Sequence, residues 1–392
     1  MEEKRFVYAD NAATTPVAAE VLNKMMPYLT GEYGNPSASF YGLGQRAKRA
    51  IEEARNNVAQ VLNASPKEIF FTGSGTEADN MALRGFMHSE TARGKKKLLT
   101  TTIEHHAILH TAKALEKEGF SVVYLPVDNF GTLDLNALEN AIDEDTALVS
   151  VMTANNEVGT IQPIEKIGKI CHDKGVYFHT DAVQAFGHIK LDVKAMNIDM
   201  LSLSGHKINA TKGVGAIYIR SGLALEPLIT GGGQEKNRRS GTENVPAIVG
   251  LGEAARLKGL NMERESAYVT SLSKALQEKI LKTIPQTVLT GHPENRLPGN
   301  SSFAIAAIEG ETMVMDLDLN GICAATGSAC STASLDPSHV LLAIGLSHET
   351  AHGSLRITLD TQNTPEDVDY IAERLAEIVK RRRAMSPVWK EQ

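Results

Sequence analysis

The stretches Val176-Tyr-Phe-His-Thr-Asp-Ala-Val-Gln184 and Met200-Leu-Ser-Leu-Ser-Gly-His-Lys207 decide the fold of this chain. Each begins as a short apolar run of strand length and ends in polar residues just before a turn. Segments of this kind recur along the first half of the chain and alternate with helical patterns. We expect strands over residues 68–72, 97–102, 120–127, 147–154, 176–182, 200–204 and 214–220. The alternation predicts an α/β fold with a mostly parallel sheet flanked by helices, whose ligands bind where the strands end.

The pattern changes after about residue 255. A long polar and charged helix is expected over about 252–282, and a terminal helix is expected over 365–383. Short strands, prolines and glycines occupy the part between these helices. We therefore predict a large domain over 1–256 and a smaller α+β domain over 257–392.

Composition restricts the possible functions. The 392 residues include 40 basic and 47 acidic side chains, which gives a net charge of −7, and 42% of them are hydrophobic. This balance is typical of a globular protein with a large core and argues against direct nucleic-acid binding. The basic run Lys380-Arg-Arg-Arg383 is interpreted as a solvated helix end. No apolar segment has the length of a membrane span or a signal peptide, so we expect a cytoplasmic protein without a membrane anchor.

A glycine-rich loop, Thr72-Gly-Ser-Gly-Thr-Glu77, lies between an expected strand and an expected helix. Glycines allow the backbone to approach an anion closely, and a helix start supplies free N–H groups and the positive end of the helix dipole. The loop is equally well explained as a strand-to-helix turn in which Thr76 caps the helix. Gly73, Gly75 and Ala78 also match a dinucleotide-binding pattern, but the acidic residue that this pattern requires about twenty residues later is missing. A dehydrogenase is therefore disfavoured.

Three histidines cluster at positions 105, 106 and 110, and His106 and His110 have the i, i+4 spacing of a helical metal pair. A zinc-protease helix needs a glutamate between its two histidines, whereas Glu104 precedes both of them here. The sequence therefore favours an ordinary polar helix start over a zinc site.

Two further polar residues lie at strand ends. Asp181 closes one strand, where a carboxylate is costly to bury unless it has a positive partner or caps a helix. Lys207 follows the next strand, and a lysine whose pKa is lowered there can act as a nucleophile. The glycine-rich loop, His105, Asp181 and Lys207 all fall at strand ends of one sheet. Together they supply what pyridoxal phosphate (PLP) requires: phosphate donors, a group that stacks on the ring, an acid for the pyridine nitrogen and a Schiff-base lysine.

The chain resembles NifS/IscS-type cysteine desulfurases, which belong to the class V aminotransferases among the fold-type I PLP enzymes. The resemblance extends from Tyr8 to Trp389, nearly the whole length. Its most specific motifs are Asn155-Asn-Glu-Val-Gly159, Asp181-Ala-Val-Gln184, Ser204-Gly-His-Lys207, Arg239-Ser-Gly-Thr242 and Gly327-Ser-Ala-Cys-Ser-Thr332. It implies a fold-type I PLP-dependent transferase with a smaller C-terminal domain, against which roughly the first 15 residues pack.

The resemblance also implies roles for individual residues. Lys207 would form the Schiff base and act as the base at the substrate Cα, and Asp181 would pair with the pyridine nitrogen. His105 would stack on the ring and could also move protons, and Gln184 would bond the phenolic oxygen. The remaining expected ligands are Gly75, Thr76, Ser204 and His206 for the phosphate, Asn156 for cofactor and substrate, Arg356 for the substrate carboxylate, and Thr242 for the phosphate of a neighbouring subunit. The role of Thr242 implies a homodimer with shared sites. The assignment includes no residue that binds a metal.

Cys330 is the expected nucleophile. It lies in a small, polar segment unlike a core, whereas Cys171 and Cys323 lie beside apolar residues and are interpreted as structural. The resemblance implies that Cys330 attacks the sulfur of L-cysteine, that L-alanine is released and that a persulfide remains on Cys330. The sulfur would then pass to an iron–sulfur scaffold protein of the NifU/IscU type or to another acceptor, and Cys330 could contact an iron–sulfur cluster during transfer.

Three other functions stay open on the sequence alone. Another class V enzyme, either an aminotransferase or a selenocysteine lyase, would act on a different substrate, and an aminotransferase would not need Cys330. A sulfur carrier that has lost catalysis would not need Lys207, Asp181 and His105. A dehydrogenase would bind a nicotinamide cofactor instead of PLP.

Overall fold

The computed structural model describes residues 5–327, 337–385 and 389. The strands are β1 (Val7–Tyr8), β2 (Ile69–Thr72), β3 (Lys97–Thr101), β4 (Ser121–Leu125), β5 (Thr146–Ser150), β6 (Tyr177–Asp181), β7 (Met200–Ser204), β8 (Gly215–Ile219), β9 (Thr287–Leu289), β10 (Asn300–Ile305), β11 (Ile322–Cys323) and β12 (Ser354–Thr358). The helices are α1 (Ala19–Thr30), α2 (Gly42–Val61), α3 (Gly75–Met87), α4 (His106–Lys117), α5 (Leu135–Ala141), α6 (Ile164–Asp173), α7 (Val245–Thr283), α8 (Gly310–Leu319), α9 (His339–Ala343), α10 (His348–His352) and α11 (Pro365–Ala384). Within the described ranges, none of these helices has the length and apolar character to cross a membrane.

The central sheet has seven strands in the order β2-β8-β7-β6-β5-β3-β4. Five neighbouring strands of this sheet, β7, β6, β5, β3 and β4, run parallel, as predicted, because long crossover connections join them. β8 instead pairs antiparallel with both β7 and β2. The segment 205–214 that joins β7 to β8 is too short for a parallel crossover, so the chain turns back beside β7. The prediction of a mostly parallel sheet flanked by helices is confirmed.

Helices cover both faces of this sheet because successive side chains of a strand point to opposite sides. Leu98 of β3 and Leu148 of β5 pack in the cluster that includes α3 and α4. Their sequence neighbours Leu99 and Val149 pack on the other face, with α2, α6 and the first half of α7. The resulting three layers leave the carboxyl ends of the strands as an open edge.

A separate antiparallel sheet, in the order β12-β10-β9, forms the core of the C-terminal part. β1 pairs with β11, so Val7 and Ala9 belong to the hydrophobic cluster of this region. The helix α7 begins at Val245 rather than near residue 252, and its second half packs in the same cluster. The predicted boundary between residues 256 and 257 therefore falls inside one continuous helix and stays a prediction.

The basic run at the end of α11 is only in part a solvated helix end: Lys380 and Arg381 are exposed as predicted, whereas the prediction was wrong for Arg383, which is buried. Arg381 and Arg382 contact the buried carboxylate of Asp316 in α8 at 2.9 and 2.7 Å. Arg383 is 3% exposed and donates to the carbonyl oxygen of Ala306 at 2.8 Å. The long aliphatic parts of arginine side chains can pack against apolar surface while their guanidinium groups bind polar acceptors. This run therefore holds α11 against α8 and against the end of the small sheet.

Candidate active site

Asp181 is the last residue of β6 and lies at the open edge of the sheet. The side chain is buried, and its Oδ1 accepts a hydrogen bond from the Val183 N–H at 2.9 Å. Burial raises the pKa of Asp181 to about 6, while the Val183 N–H and the Lys207 ammonium act in the opposite direction. A carboxyl group in this state can hold a proton on a ring nitrogen placed next to it.

Lys207 ends the short 3₁₀ turn Gly205–Lys207 that follows β7. Gly205 is required in this turn because a Cβ there would lie 2.8 Å from Cγ1 of Val214. The Lys207 ammonium donates to the carbonyl oxygens of Ala12 and Ala13 at 2.5 and 2.8 Å. The segment before α1 therefore contacts the lysine directly, a function that the opening motif did not reveal by itself.

Gln184, Ser204 and His206 lie beside this lysine. Gln184 donates to the carbonyl oxygen of Ala12 at 2.9 Å, and Ser204 is buried at the end of β7. Nδ1 of His206 lies 3.2 Å from the Thr14 hydroxyl. Burial and the nearby ammonium of Lys207 lower the pKa of His206 to about 4. His206 is therefore neutral at physiological pH and can donate one hydrogen bond.

His105 precedes α4 and caps it, since its Nδ1 accepts a hydrogen bond from the Ala107 N–H at 3.1 Å. Burial lowers the pKa of His105 to about 4, and Lys207 adds to the effect. The proton of the neutral ring therefore resides on Nε2. The rings of His106 and His110 stack at a centroid distance of 5.0 Å. Within residues 5–327 and 337–385, no three histidine, cysteine or acidic side chains are grouped to hold a metal ion.

The glycine-rich loop leads directly into α3. Ser74 is the residue that caps this helix, because its side chain accepts from the Glu77 N–H at 3.1 Å. The alternative in which Thr76 is the cap was therefore wrong, and Thr76 lies in the first helical turn. A Cβ at Gly75 would lie 2.7 Å from Cγ2 of Val183. The glycine thus keeps the helix start open to the cleft.

Arg356 lies in β12 of the small sheet and reaches the same cleft. Its guanidinium group donates to Oδ1 of Asp10 at 2.9 Å and to the carbonyl oxygen of Asn156 at 3.1 Å. The third nitrogen, Nε, is buried and has no hydrogen-bond partner among the described residues. Arg356 is therefore a fixed, buried cation with a donor still available.

These side chains line one cleft of about 340 Å³. The expected site residues that it brings together are Gly75, Thr76, His105, Asn156, Asp181, Gln184, Ser204, His206, Lys207 and Arg356. Thr242 is exposed and lines a different cleft of about 180 Å³, next to Arg239. Cys330 lies outside the described residues. Cys171 is fully buried, and burial raises its pKa to about 12, whereas Cys323 is half-buried in β11.

Sequence reasoning missed four acidic residues around the cleft. Asp10 pairs with Arg356, and Glu157 accepts a short hydrogen bond from the Ser338 hydroxyl. Asp79 and Glu104 are buried close to Asp181. Helical spacing was the available signal for Asp79, because it occupies the apolar face of α3. Glu157 lies inside the motif Asn155-Asn-Glu-Val-Gly159, but no role was expected for it, and no role was expected for Asp10 or Glu104 either.

Comparisons with known proteins agree with one another. Residues 7–371 match the family described as aminotransferase class-V. A cysteine desulfurase IscS of Clostridium botulinum (strain Hall) is 53% identical over 387 residues, which cover 98% of this chain and 97% of that protein. The IscS of Methanosarcina thermophila is 51% identical and covers 98% of this chain and 95% of its own length.

Two solved structures are also similar. A NifS-like protein superposes with a TM-score of 0.90 at 39% identity and covers 96% of this chain and 100% of its own. A structure described as SspA in complex with cysteine superposes with a TM-score of 0.80 at 38% identity, with 91% and 100% coverage.

Proposed function

The chain belongs to the aminotransferase class-V family, and we propose that it is a cysteine desulfurase, which removes sulfur from L-cysteine and releases L-alanine. The observation that carries the proposal is the meeting of Lys207, Asp181, His105 and Arg356 in one cleft. Cysteine desulfurases are also the relatives that match nearly the full length of the chain.

The residues present fit PLP as the cofactor. Gly75 leaves the start of α3 free of any Cβ, and such a helix start binds phosphate through its N–H groups. Asp181 would pair with the pyridine nitrogen, and Lys207 would form the Schiff base with the aldehyde carbon. His105 would stack on the face of the ring. Gln184, Ser204, His206 and Asn156 are the further ligands. When it is bound, PLP supplies an electron sink for bond changes at the substrate Cα and Cβ.

Lys207 and Asp181 control protons at opposite ends of the cofactor position. The Lys207 amine, once released from the carbonyls of Ala12 and Ala13, would take the proton from the substrate Cα and hold it for the protonation that follows. The Asp181 carboxylate would keep the ring nitrogen protonated, because an adjacent negative charge favours the cationic form of that nitrogen. The neutral imidazole of His105 can accept a proton at Nδ1 only if it gives up the Ala107 hydrogen bond, so it acts mainly as a stacking group in this state.

Arg356 would bind the substrate carboxylate. A guanidinium group suits a planar carboxylate because it offers parallel N–H donors, and Arg356 lines the cleft. Asp10 already occupies one side of the group, so it fixes the orientation of Arg356. The substrate would then lie in the cleft that Lys207 also lines.

Cys330 would accept the sulfur as a persulfide. The substrate Cβ–S bond breaks and a new S–S bond forms at the Cys330 sulfur, while protons restore the methyl group of L-alanine. L-cysteine and one thiol thus give L-alanine and one persulfide, and the step needs no external oxidant or reductant. The persulfide sulfur would pass to an iron–sulfur scaffold protein or another acceptor. Thr242 would reach the phosphate of a second copy, which makes the active form a homodimer.

Alanine release from L-cysteine under a reductant tests this function. The parent and Cys323→Ala, the matched control in β11, are expected to release alanine at similar rates. Cys330→Ala is expected to lose turnover by at least about 100-fold while the visible absorbance of bound PLP stays, because only the nucleophile is removed. Equal release by the parent and Cys330→Ala would exclude Cys330 as the nucleophile. If the parent binds PLP but releases no alanine from L-cysteine, the result would favour an aminotransferase or lyase instead.

A further inference from the structure

A buried polar layer lies beneath Asp181, between the sheet and α3. His179 and Asp181 lie two residues apart on β6 and therefore point to the same face. Ser202 of β7 is the residue that pairs with Asp181 across the two strands. Asp79, one helical turn after Gly75, lies against this face, and its Oδ1 is 3.9 Å from Nε2 of His179. All four side chains are at most 5% exposed.

The His179 ring lies between two serine hydroxyl groups of this layer. Nδ1 of His179 lies 2.9 Å from the Ser150 hydroxyl, and Nε2 lies 3.0 Å from the Ser202 hydroxyl. Burial lowers the pKa of His179 to about 3, so the ring is neutral and has one donor and one acceptor nitrogen. If Ser150 donates to Nδ1, Nε2 donates to Ser202, which leaves the Ser202 proton to point towards Asp79, whose pKa it lowers.

Asp79 differs from Asp181 in its charged neighbours. The Lys207 ammonium lowers the pKa of Asp181, whereas burial and the carboxylates of Asp181 and Glu104 raise the pKa of Asp79 well above its usual range. Oδ1 of Asp79 is buried without a donor among the described residues. A buried acceptor without a donor is costly, but the same atom carrying a proton becomes a donor.

We propose that Asp79 is a neutral carboxylic acid that donates a hydrogen bond to the ionised Asp181 and so positions the carboxylate that would pair with the pyridine nitrogen. This inference rests on the proposed function, because it concerns the carboxylate that would pair with the pyridine nitrogen. Two ionised carboxylates in the same buried layer would repel each other, so the proton on Asp79 leaves Asp181 as the carboxylate that carries the charge. Asp79 acts through Asp181 and is a positioning residue.

The test is the pH dependence of PLP binding by the full-length protein. A hydrogen-bond donor next to an ionised acid lowers the pKa of that acid. Removal of the donor in Asp79→Ala is therefore expected to raise the acid limit, which is the lowest pH at which PLP still binds, by about one pH unit. The dissociation constant of PLP near the parent limit should then rise about tenfold. Asp79→Asn keeps a neutral donor and is expected to retain the parent limit. Glu144→Gln is the control, because it alters an exposed carboxyl just before β5, at the opposite end of that strand from the cleft, and it should keep the parent limit.

Two outcomes would overturn the proposal. A shift of the acid limit to lower pH in Asp79→Asn would mean that Asp79 is ionised in the parent, since that change would remove a like charge beside Asp181. An unchanged limit in Asp79→Ala would mean that Asp79 does not act on Asp181. If Asp79→Ala fails to fold, Asp79→Asn still decides the charge state. Failure of the parent itself to bind PLP would contradict the proposed function rather than this inference.

Discussion

Glu104 shows how one buried residue can make stability depend on pH. The side chain is fully buried, and it accepts hydrogen bonds from the Thr101 hydroxyl at 2.6 Å and from the Met152 N–H at 3.0 Å. Burial nevertheless raises its pKa to about 8, against 4.5 for a free side chain. The folded protein therefore keeps a proton that the unfolded chain releases near pH 4.5.

Below about pH 4.5 the side chain is protonated in both states and Glu104 costs no stability. As the pH rises from about 4.5 to about 8, only the unfolded chain releases the proton, so the free energy of unfolding falls. Glu104→Gln cannot ionise, so its free energy of unfolding should fall less than that of the parent between about pH 5.5 and about pH 8.5. We expect a difference of at least about 1 kcal/mol, measured by urea denaturation. Exposed Glu144→Gln is the control and should follow the parent. Identical slopes for Glu104→Gln and the parent would contradict the prediction.

At the scale of elements, α7 connects the two hydrophobic regions of the molecule. Its first half packs against α1 and α2, and its second half packs against the small sheet. The contact with α2 is unusually close at Gly252, where a Cβ would lie 2.4 Å from both Cα and Cβ of Ala54. The glycine is therefore a packing requirement inside a helix, despite its low helix propensity.

Gly252→Ala should force α2 and α7 apart and lower the free energy of unfolding by about 1–3 kcal/mol. Gly259→Ala is the matched control on the same helix, because Gly259 is exposed and its added Cβ would lie 3.1 Å from a terminal methyl group of Val61. That variant should stay within about 1 kcal/mol of the parent, since alanine is the better helix former. Urea or thermal denaturation measures both. Equal stability of Gly252→Ala and the parent would show that the helices can separate without cost.

At the scale of the whole molecule, one expected ligand lies away from the cleft. Thr242 is exposed beside Arg239, while Lys207 lies inside the cleft with the other ligands. If each active site takes Thr242 from a second copy, two different defective copies can build one intact site. A Thr242→Ala copy keeps its own Lys207, and a Lys207→Ala copy supplies the missing Thr242.

Hybrid dimers of Thr242→Ala and Lys207→Ala, isolated by two different tags after co-expression, should therefore regain activity. Each hybrid contains one intact site of two, so alanine release should approach about half of the parent rate per dimer. Each variant alone should be at least about tenfold slower than the hybrid. Hybrids no faster than the separate variants, or a monomeric parent, would exclude sites shared in this way.

Much of the fold and of the cleft could be predicted because both depend on patterns of neighbouring residues. Alternating apolar strands and helices predicted the parallel sheet, and polar residues at strand ends placed Asp181, Lys207 and His105 at one edge. The family resemblance is confirmed by the comparisons. Prediction was less successful for residues whose role depends on a partner elsewhere: the cap of α3 is Ser74, and the buried state of Asp79 and Glu104 follows from the layers packed above them.

The sequence by itself thus determined the fold class, the family and most of the cleft, since periodicity and strand-end residues act over a few neighbours. Only the tertiary structure decided which distant groups meet. Asp10 and Arg356 are 346 positions apart and form an ion pair at 2.9 Å, and Ala12 accepts a hydrogen bond from Lys207. β8 lies antiparallel beside β7 because its connection is short. Such contacts depend on how whole layers pack, and packing is a property of the complete chain rather than of any segment.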